Sequence, residues 1–334
     1  MLTFTAIEQA NLSRPTCITI GNFDGLHRGH QALLQRLVAI AMQGVQGDAS
    51  APMQCGLLTF DPHPLAVLRP EQPHQLLTTP AERLALAAQH GLDFGVIQPF
   101  TEETAALDAH QFLQLLKTHL QLACLVVGPD FALGRGRQGD LPFLQELGEE
   151  LDYSVEVIEP VAWEGLSVRS SQVRNALREG NVALAATMLG RPYHAVGEVV
   201  YGDQRGRQIG VPTANVQTPA NKLLPADGVY ATKAKLRVGE IDYCFDGVTN
   251  LGVRPTVDGL HHRLEVHLFD FPPSTPESQP NTIANGDIYG QQLTVEFIAH
   301  LRGEQKFASL DALVSQIHAD VEQARVILST YEPH

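Results

Sequence analysis

The sequence predicts two folds in series: an α/β domain on an open parallel sheet, then a small antiparallel β-barrel with a C-terminal helix. Three observations predict this. Short, wholly apolar runs alternate with amphipathic helical patterns through the first half, as strands covered on both faces by helices require. Past residue 190 glycines become frequent and the apolar residues switch to a period of two, the mark of antiparallel strands. The last segment returns to a helical period. At 334 residues the chain is long enough for two domains, each with its own core.

In chain order, the strand-like runs of the first half are Cys17–Ile20, Cys55–Phe60, Phe94–Ile97, Cys124–Val127 and Val155–Ile158. Between the first two, Leu33, Leu34, Leu37, Val38 and Ala41 form one helical stripe. Thr79-Pro80-Ala81-Glu82 is a capping box with proline at the first helical position, and Gly91 supplies a stop. Residues 108–120 and 141–150 carry two more helical patterns. The pattern changes near Gly190-Arg191-Pro192, which sets the expected domains at 1–186 and 187–334. Val229–Leu236, Tyr243–Val248, His262–Phe269 and Leu293–Ile298 then read as antiparallel strands. Residues 271–287, rich in Pro, Ser, Thr and Asn, read as a flexible loop. Leu310, Leu313, Val314, Ile317, Val321, Ala324 and Leu328 form one face of the closing helix.

Composition narrows the function. A formal charge of −14 excludes broad, sequence-independent nucleic-acid binding but leaves room for a local basic pocket. Cys17, Cys55, Cys124 and Cys244 are scattered without paired spacing, so they read as buried packing thiols rather than a zinc site or disulfide framework. No basic-then-apolar leader and no membrane-length apolar run is present, so a cytoplasmic protein without a membrane or nucleic-acid partner is expected.

The chemistry-bearing residues begin with Gly21-Asn22-Phe23-Asp24-Gly25-Leu26-His27-Arg28-Gly29-His30. It follows a buried strand and enters a helix, where free N–H groups and the macrodipole attract anions. His27 and His30, three apart, are expected on one side of that helix end. Asp61-Pro62-His63-Pro64 also lies at a strand's carboxyl end, where an open parallel sheet binds its ligand. Ser170-Ser171-Gln172-Val173-Arg174 offers hydroxyls and N–H groups before a helix with an arginine one turn on, although serine there also serves as a plain N-cap. In the second half, Pro212 makes Val211 extended, so Thr213 and Asn215 face one side. Their oxygens are hard ligands suited to Mg²⁺ carrying ATP phosphates, although a Thr/Asn turn uses the same residues. Glu265 lies opposite Leu264, Val266 and Leu268 on an alternating strand, where a carboxylate can act as a general base or simply face solvent.

These motifs carry a resemblance. Residues 21–30 resemble the HxGH motif of the nucleotidylyltransferase superfamily, and Ser170–Arg174 its SSxxxR-type partner. Thr59–Pro64 and Val127–Gly134 are similar to loops of the bacterial FAD synthetase module. Leu189–Tyr193, Gly210–Asn215, Gly228–Tyr230, Asn250–Thr256 and Glu265–Leu268 resemble the riboflavin kinase module. The whole chain is thus similar to the bifunctional riboflavin kinase/FMN adenylyltransferase family. That resemblance implies a Rossmann-like nucleotidylyltransferase domain followed by a riboflavin kinase barrel. It implies FMN formation from riboflavin and ATP, then FAD and pyrophosphate from FMN and a second ATP, with Mg²⁺ and no obligate protein partner. By the same resemblance Glu265, His27 and His30 are catalytic. Gly21, Phe23, Asp24, Gly25, Ser170, Ser171 and Arg174 bind ATP phosphates in the first domain. Gly202 and Arg207 belong to a flap over the ATP of the kinase domain, beside Thr213 and Asn215 as metal and phosphate ligands. Phe60, Pro62, His63 and Asp130 face flavin in the first domain, and Asn250, Arg254 and Thr256 in the second. The family often has an aromatic residue where Val211 and Leu133 stand, and loosened packing is expected beside each.

Overall fold

The computed structural model describes residues 1–45, 50–159, 168–202, 206, 209–238, 241–256, 259–271 and 287–332, with the side chains of 238, 253–256 and 259–262 excepted. The chain divides into two compact units, Met1–Ser170 and Ser171–His334.

The first unit is an open parallel sheet of β1 (Leu2–Phe4), β2 (Thr16–Ile20), β3 (Gln54–Asp61), β4 (Phe94–Pro99), β5 (Leu122–Val127) and β6 (Ser154–Val157). The order is β1-β4-β3-β2-β5-β6, and every pairing is parallel. Alternate residues of these strands feed two cores. On one face α1 (Ile7–Ala10), α6 (Ala109–Leu120) and α7 (Leu141–Leu151) pack on Ile18, Ile20, Leu58, Val96 and Leu125. On the other, α2 (Arg28–Met42) and α4 (Pro80–Ala88) pack on Cys17, Leu57, Cys124 and Val126. The chain runs outward from β2 to β3 and β4, then returns to β5 on the opposite side. The topological switch, and the crevice it opens, therefore lies at the carboxyl ends of β2 and β5.

All five predicted strands of this unit form. Strand β1 and the short helices α1, α3 (Pro64–Leu68) and α5 (Glu102–Ala106) were not foreseen, being too short for a periodic signal. The Thr79–Glu82 capping box is present in both directions. Cys17, Cys55 and Cys124 are buried, as expected, whereas Cys244 is exposed.

In the second unit α8 (Ser170–Arg178) continues into α9 (Val182–Leu189), whose apolar face packs on the barrel. The barrel closes in the order β10-β11-β8-β7-β12-β9. Its strands are β7 (Tyr193–Val200), β8 (Ala214–Gln217), β9 (Gly228–Val238), β10 (Ile241–Thr256), β11 (Gly259–Leu268) and β12 (Gln292–Arg302), all antiparallel. Leu251, Leu264, Val266, Leu293 and Val295 fill it. The last helix, α10 (Leu310–Ser329), lays Val321, Ala324, Ile327 and Leu328 on the outer face beside Ala231 and Ile298. Leu310, expected on that apolar face, is exposed in the first turn. Most of the predicted 271–287 loop lies outside the described residues.

Candidate active sites

The first constellation begins where β2 ends. Phe23, Gly25 and Leu26 take positive φ values of 45°, 85° and 42°, a run that only strong tertiary contacts hold in place. Those contacts converge on Asp24, which is buried. Its carboxylate accepts from the Leu77 amide (3.1 Å), the Thr78 amide (2.9 Å) and the Thr78 hydroxyl (3.1 Å). The Gly25 amide donates to Thr78 Oγ1 at 2.9 Å. Arg83, also buried, reaches Asp24 at 3.8 Å and donates to Thr59 Oγ1 at 2.5 Å. Thr59 in turn donates to the Asn22 carbonyl at 3.2 Å. Asp24 thus fixes the loop from inside. Arg83 escaped notice in the sequence because one arginine in an amphipathic helix carries no signal.

Helix α2 begins at Arg28, so His27 is its N-cap rather than its first-turn residue. The two histidines still meet, but through capping geometry instead of helical spacing. His27 Nδ1 accepts from the His30 amide at 3.4 Å, and the rings stack with centroids 3.7 Å apart. An accepting Nδ1 puts the His27 proton on Nε2. A Cβ on Gly29 would lie 3.3 Å from the His27 ring, so glycine gives the ring its room. His30 packs on Phe23 at 5.0 Å, and its Nδ1 is buried without a hydrogen-bond partner among the described residues. Burial first, then His27 and Arg83, hold the His30 pKa well below the usual imidazole range. The helix end, with two ring edges beside its free N–H groups, offers a place for an anion.

The other residues expected around it fall variously. Gly21 closes against the Phe23 ring. Ser170 opens α8 and donates to the Asp24 carbonyl at 2.9 Å, while Ser171 and Arg174 belong to the second unit. Phe60 packs edge-on to Phe100 at 5.4 Å. His63 caps α3, accepting from Leu65 at 3.2 Å, and stacks on His74 at 3.9 Å. Pro62 and Asp130 are exposed. Leu133 is buried in the core behind the β5 loop.

The second constellation lies on the outer face of the barrel. Register sets Asn250 of β10 against Glu265 of β11, and Glu265 against Asn215 of β8. In-register side chains point to one side, so the three form a row across neighbouring strands. The row lines a cavity of about 690 Å³ with Thr213 and Val211. Glu265 pairs with Arg263 at 3.0 Å, and His267 donates through Nδ1 to the Pro212 carbonyl at 2.8 Å, tying the 211–213 segment to β11. Asn215 Oδ1 is buried without a partner among the described residues. A Cβ on Gly202 would fall 2.1 Å from Asn215 Nδ2, so only glycine lets the backbone lie against that amide.

Sequence reasoning missed the far wall. Arg302 makes a forked ion pair with buried Asp320 at 2.7 Å, and Gln316 adds a 2.9 Å bond to the same carboxylate. This brings Glu304, Lys306, Phe307, Leu313 and Ile317 around the cavity. Arg207 and the neighbouring Arg205 lie outside the described residues, as do the side chains of Arg254 and Thr256.

An orphaned amide oxygen beside a threonine hydroxyl fits Mg²⁺, which keeps waters and phosphate oxygens and needs few protein ligands. Among the described residues no group of three or more His, Cys, Asp or Glu side chains could hold a metal. No helix of the described residues is long and apolar enough to cross a membrane.

A family model described as FAD synthetase matches residues 9–172, and one described as riboflavin kinase matches 189–328. A bifunctional riboflavin kinase/FMN adenylyltransferase of Escherichia coli (strain K12) is 38% identical over 95% of this chain and 94% of its own. One from Pseudomonas fluorescens is 42% identical over 92% of each chain. The crystal structure of a macrolide-efflux protein from Streptococcus pneumoniae matches with a TM-score of 0.78 and 28% identity, covering 99% of both chains. That likeness carries the fold; the transport name belongs to the neighbour.

Proposed function

Since the chain belongs to the bifunctional riboflavin kinase/FMN adenylyltransferase family, we propose that its two reactions run on the two constellations, one in each half. The enzyme phosphorylates riboflavin with ATP to give FMN, and adenylylates FMN with a second ATP to give FAD and pyrophosphate. The functional boundary is taken at 186/187. The single observation that carries the assignment of roles is the Asn250–Glu265–Asn215 row on the cavity wall.

In the kinase half, Glu265 takes the proton from the riboflavin 5′-hydroxyl as that oxygen attacks the γ-phosphorus of ATP. The bond to the ADP oxygen breaks, and ADP leaves. Arg263 orients the carboxylate. Thr213 and Asn215 would hold Mg²⁺, which neutralises phosphate charge when bound. The Gly202 segment lies against Asn215, so the flap and the ligand amide are set together. Asn250, with Arg254 and Thr256, faces flavin.

In the adenylyltransferase half no protein nucleophile is needed. An FMN phosphate oxygen attacks the α-phosphorus of ATP, and the bond to pyrophosphate breaks. His27 donates from Nε2, and His30 adds its buried ring, where charge accumulates on the phosphates. Gly21, Phe23 and Gly25 shape the loop, and Asp24 serves it through Thr78 and Arg83. Ser170, Ser171 and Arg174 complete the phosphate grip, with Phe60, Pro62, His63 and Asp130 on the flavin side. Use of ATP in both steps supports a cytoplasmic enzyme.

Glu265→Gln tests the kinase half. FMN formation from riboflavin should fall by about 10²- to 10⁴-fold, while supplied FMN is still converted to FAD. FMN formation at the normal rate would remove Glu265 as the base.

A further inference from the structure

Cys17, Cys55 and Cys124 are far apart in sequence, yet the sheet sets them in one row. β2 pairs Cys17 with Cys55 of β3 on one side and with Cys124 of β5 on the other. A register shift between Thr16 and Cys17 creates the second match, because it sets Cys124 rather than Ala123 opposite Cys17. All three thiols point into the α2/α4 side of the sheet. Neighbouring strands run about 4.8 Å apart, inside the Cα range of about 4.4–6.8 Å that a disulfide spans.

The three are not equivalent. Cys55 Sγ is turned to the Gly91 carbonyl and Asp93 Oδ2, both at 3.5 Å, and burial pushes its pKa up to about 11. The side chains of Cys17 and Cys124 interact with each other, which lowers the Cys124 pKa and raises that of Cys17. Cys124 also lines a cavity of about 770 Å³ with Gln43, Lys117, Gln121 and Ser154, at the amino-terminal edge of the sheet. Neither described constellation uses these groups.

We propose that Cys17 and Cys124 form an oxidation site, in which peroxide entering from this cavity converts Cys124 to a sulfenic acid that Cys17 closes to a disulfide. The Cys124 sulfur attacks one peroxide oxygen, the O–O bond breaks, and the departing hydroxide takes up the thiol proton as water. The Cys17 sulfur then attacks the Cys124 sulfur; the S–O bond breaks and the hydroxyl leaves with the Cys17 proton as a second water. Two electrons pass from the thiols to the peroxide. A bond across adjacent parallel strands departs from relaxed disulfide geometry, which makes it readily reduced again by a dithiol. β2 and β5 are also the strands whose carboxyl ends open the ligand crevice, so the cross-link disturbs FAD formation and leaves FMN formation alone. This last consequence rests on the proposed location of adenylyl transfer; the chemistry of the thiols does not.

The test exposes the full-length protein to hydrogen peroxide without denaturant and reads intact mass, peptide map and both activities. The wild type and Cys244→Ala should each lose two hydrogens in mass, with Cys17 and Cys124 joined. FAD formation should slow by roughly tenfold or more, FMN formation should hold, and dithiothreitol should reverse both changes. In Cys17→Ala the sulfenic acid should persist on Cys124 and be trapped by dimedone; in Cys124→Ala neither product should form. No disulfide before unfolding, or a bond from Cys17 to Cys55, overturns the oxidation site. A Cys17–Cys124 bond with unchanged FAD formation leaves the thiol chemistry standing and overturns the link to adenylyl transfer.

Discussion

His27 accepts the His30 amide on Nδ1, which puts its proton on Nε2, while burial and two neighbouring groups keep His30 neutral. In an NMR titration of the ligand-free protein His30 should stay neutral as pH falls through 6.5, and ATP should raise its pKa; an ordinary titration would show the pocket to be open to water. Gly202 makes the matching point in the other half. A Cβ at Gly202 would push the Asn215 amide from its place, so in Gly202→Ala FMN formation should drop by about tenfold or more with FAD formation from supplied FMN unchanged.

Helix α4 shows how an element can serve a site without containing any expected site residue. Its capping box fixes the first turn, and that turn delivers Arg83 to Thr59, Thr78 and Asp24. Thr79→Ala should cost about 1 kcal/mol and lower the unfolding midpoint of the first unit by about 2–4 °C. FAD formation should suffer more than FMN formation; equal losses would detach α4 from the site. The capping box was legible because its residues are three apart. The Arg302–Asp320 pair and the three-cysteine row were not, because β12–α10 and β3–β2–β5 contacts join residues far apart in sequence. Glu265, Asn215 and Asn250 were each named from the sequence, but that they stand side by side was legible only once the register was known.

At the scale of the whole molecule, local periodicity revealed both halves, whereas closure of the barrel depends on long-range pairing that no window displays. The second unit also carries its own response to acid. His194 on β7 has its pKa lowered to about 3, first by burial and then by Lys222, Arg191 and Lys235. The unfolded chain takes up that proton near pH 6.5 and the folded barrel does not, so stability is full above 6.5 and falls toward 3, by about 1.4 kcal/mol per pH unit. Denaturant unfolding of the second unit should show that slope, and His194→Gln should flatten it. The central claim is that each reaction has its own residue set on one chain. It is tested most directly by giving His27→Ala riboflavin, ATP and Mg²⁺ and following FMN and FAD separately. FMN should accumulate at close to the normal rate while FAD formation falls by at least about 10²-fold; loss of both products together, or FAD made at the normal rate, would contradict it.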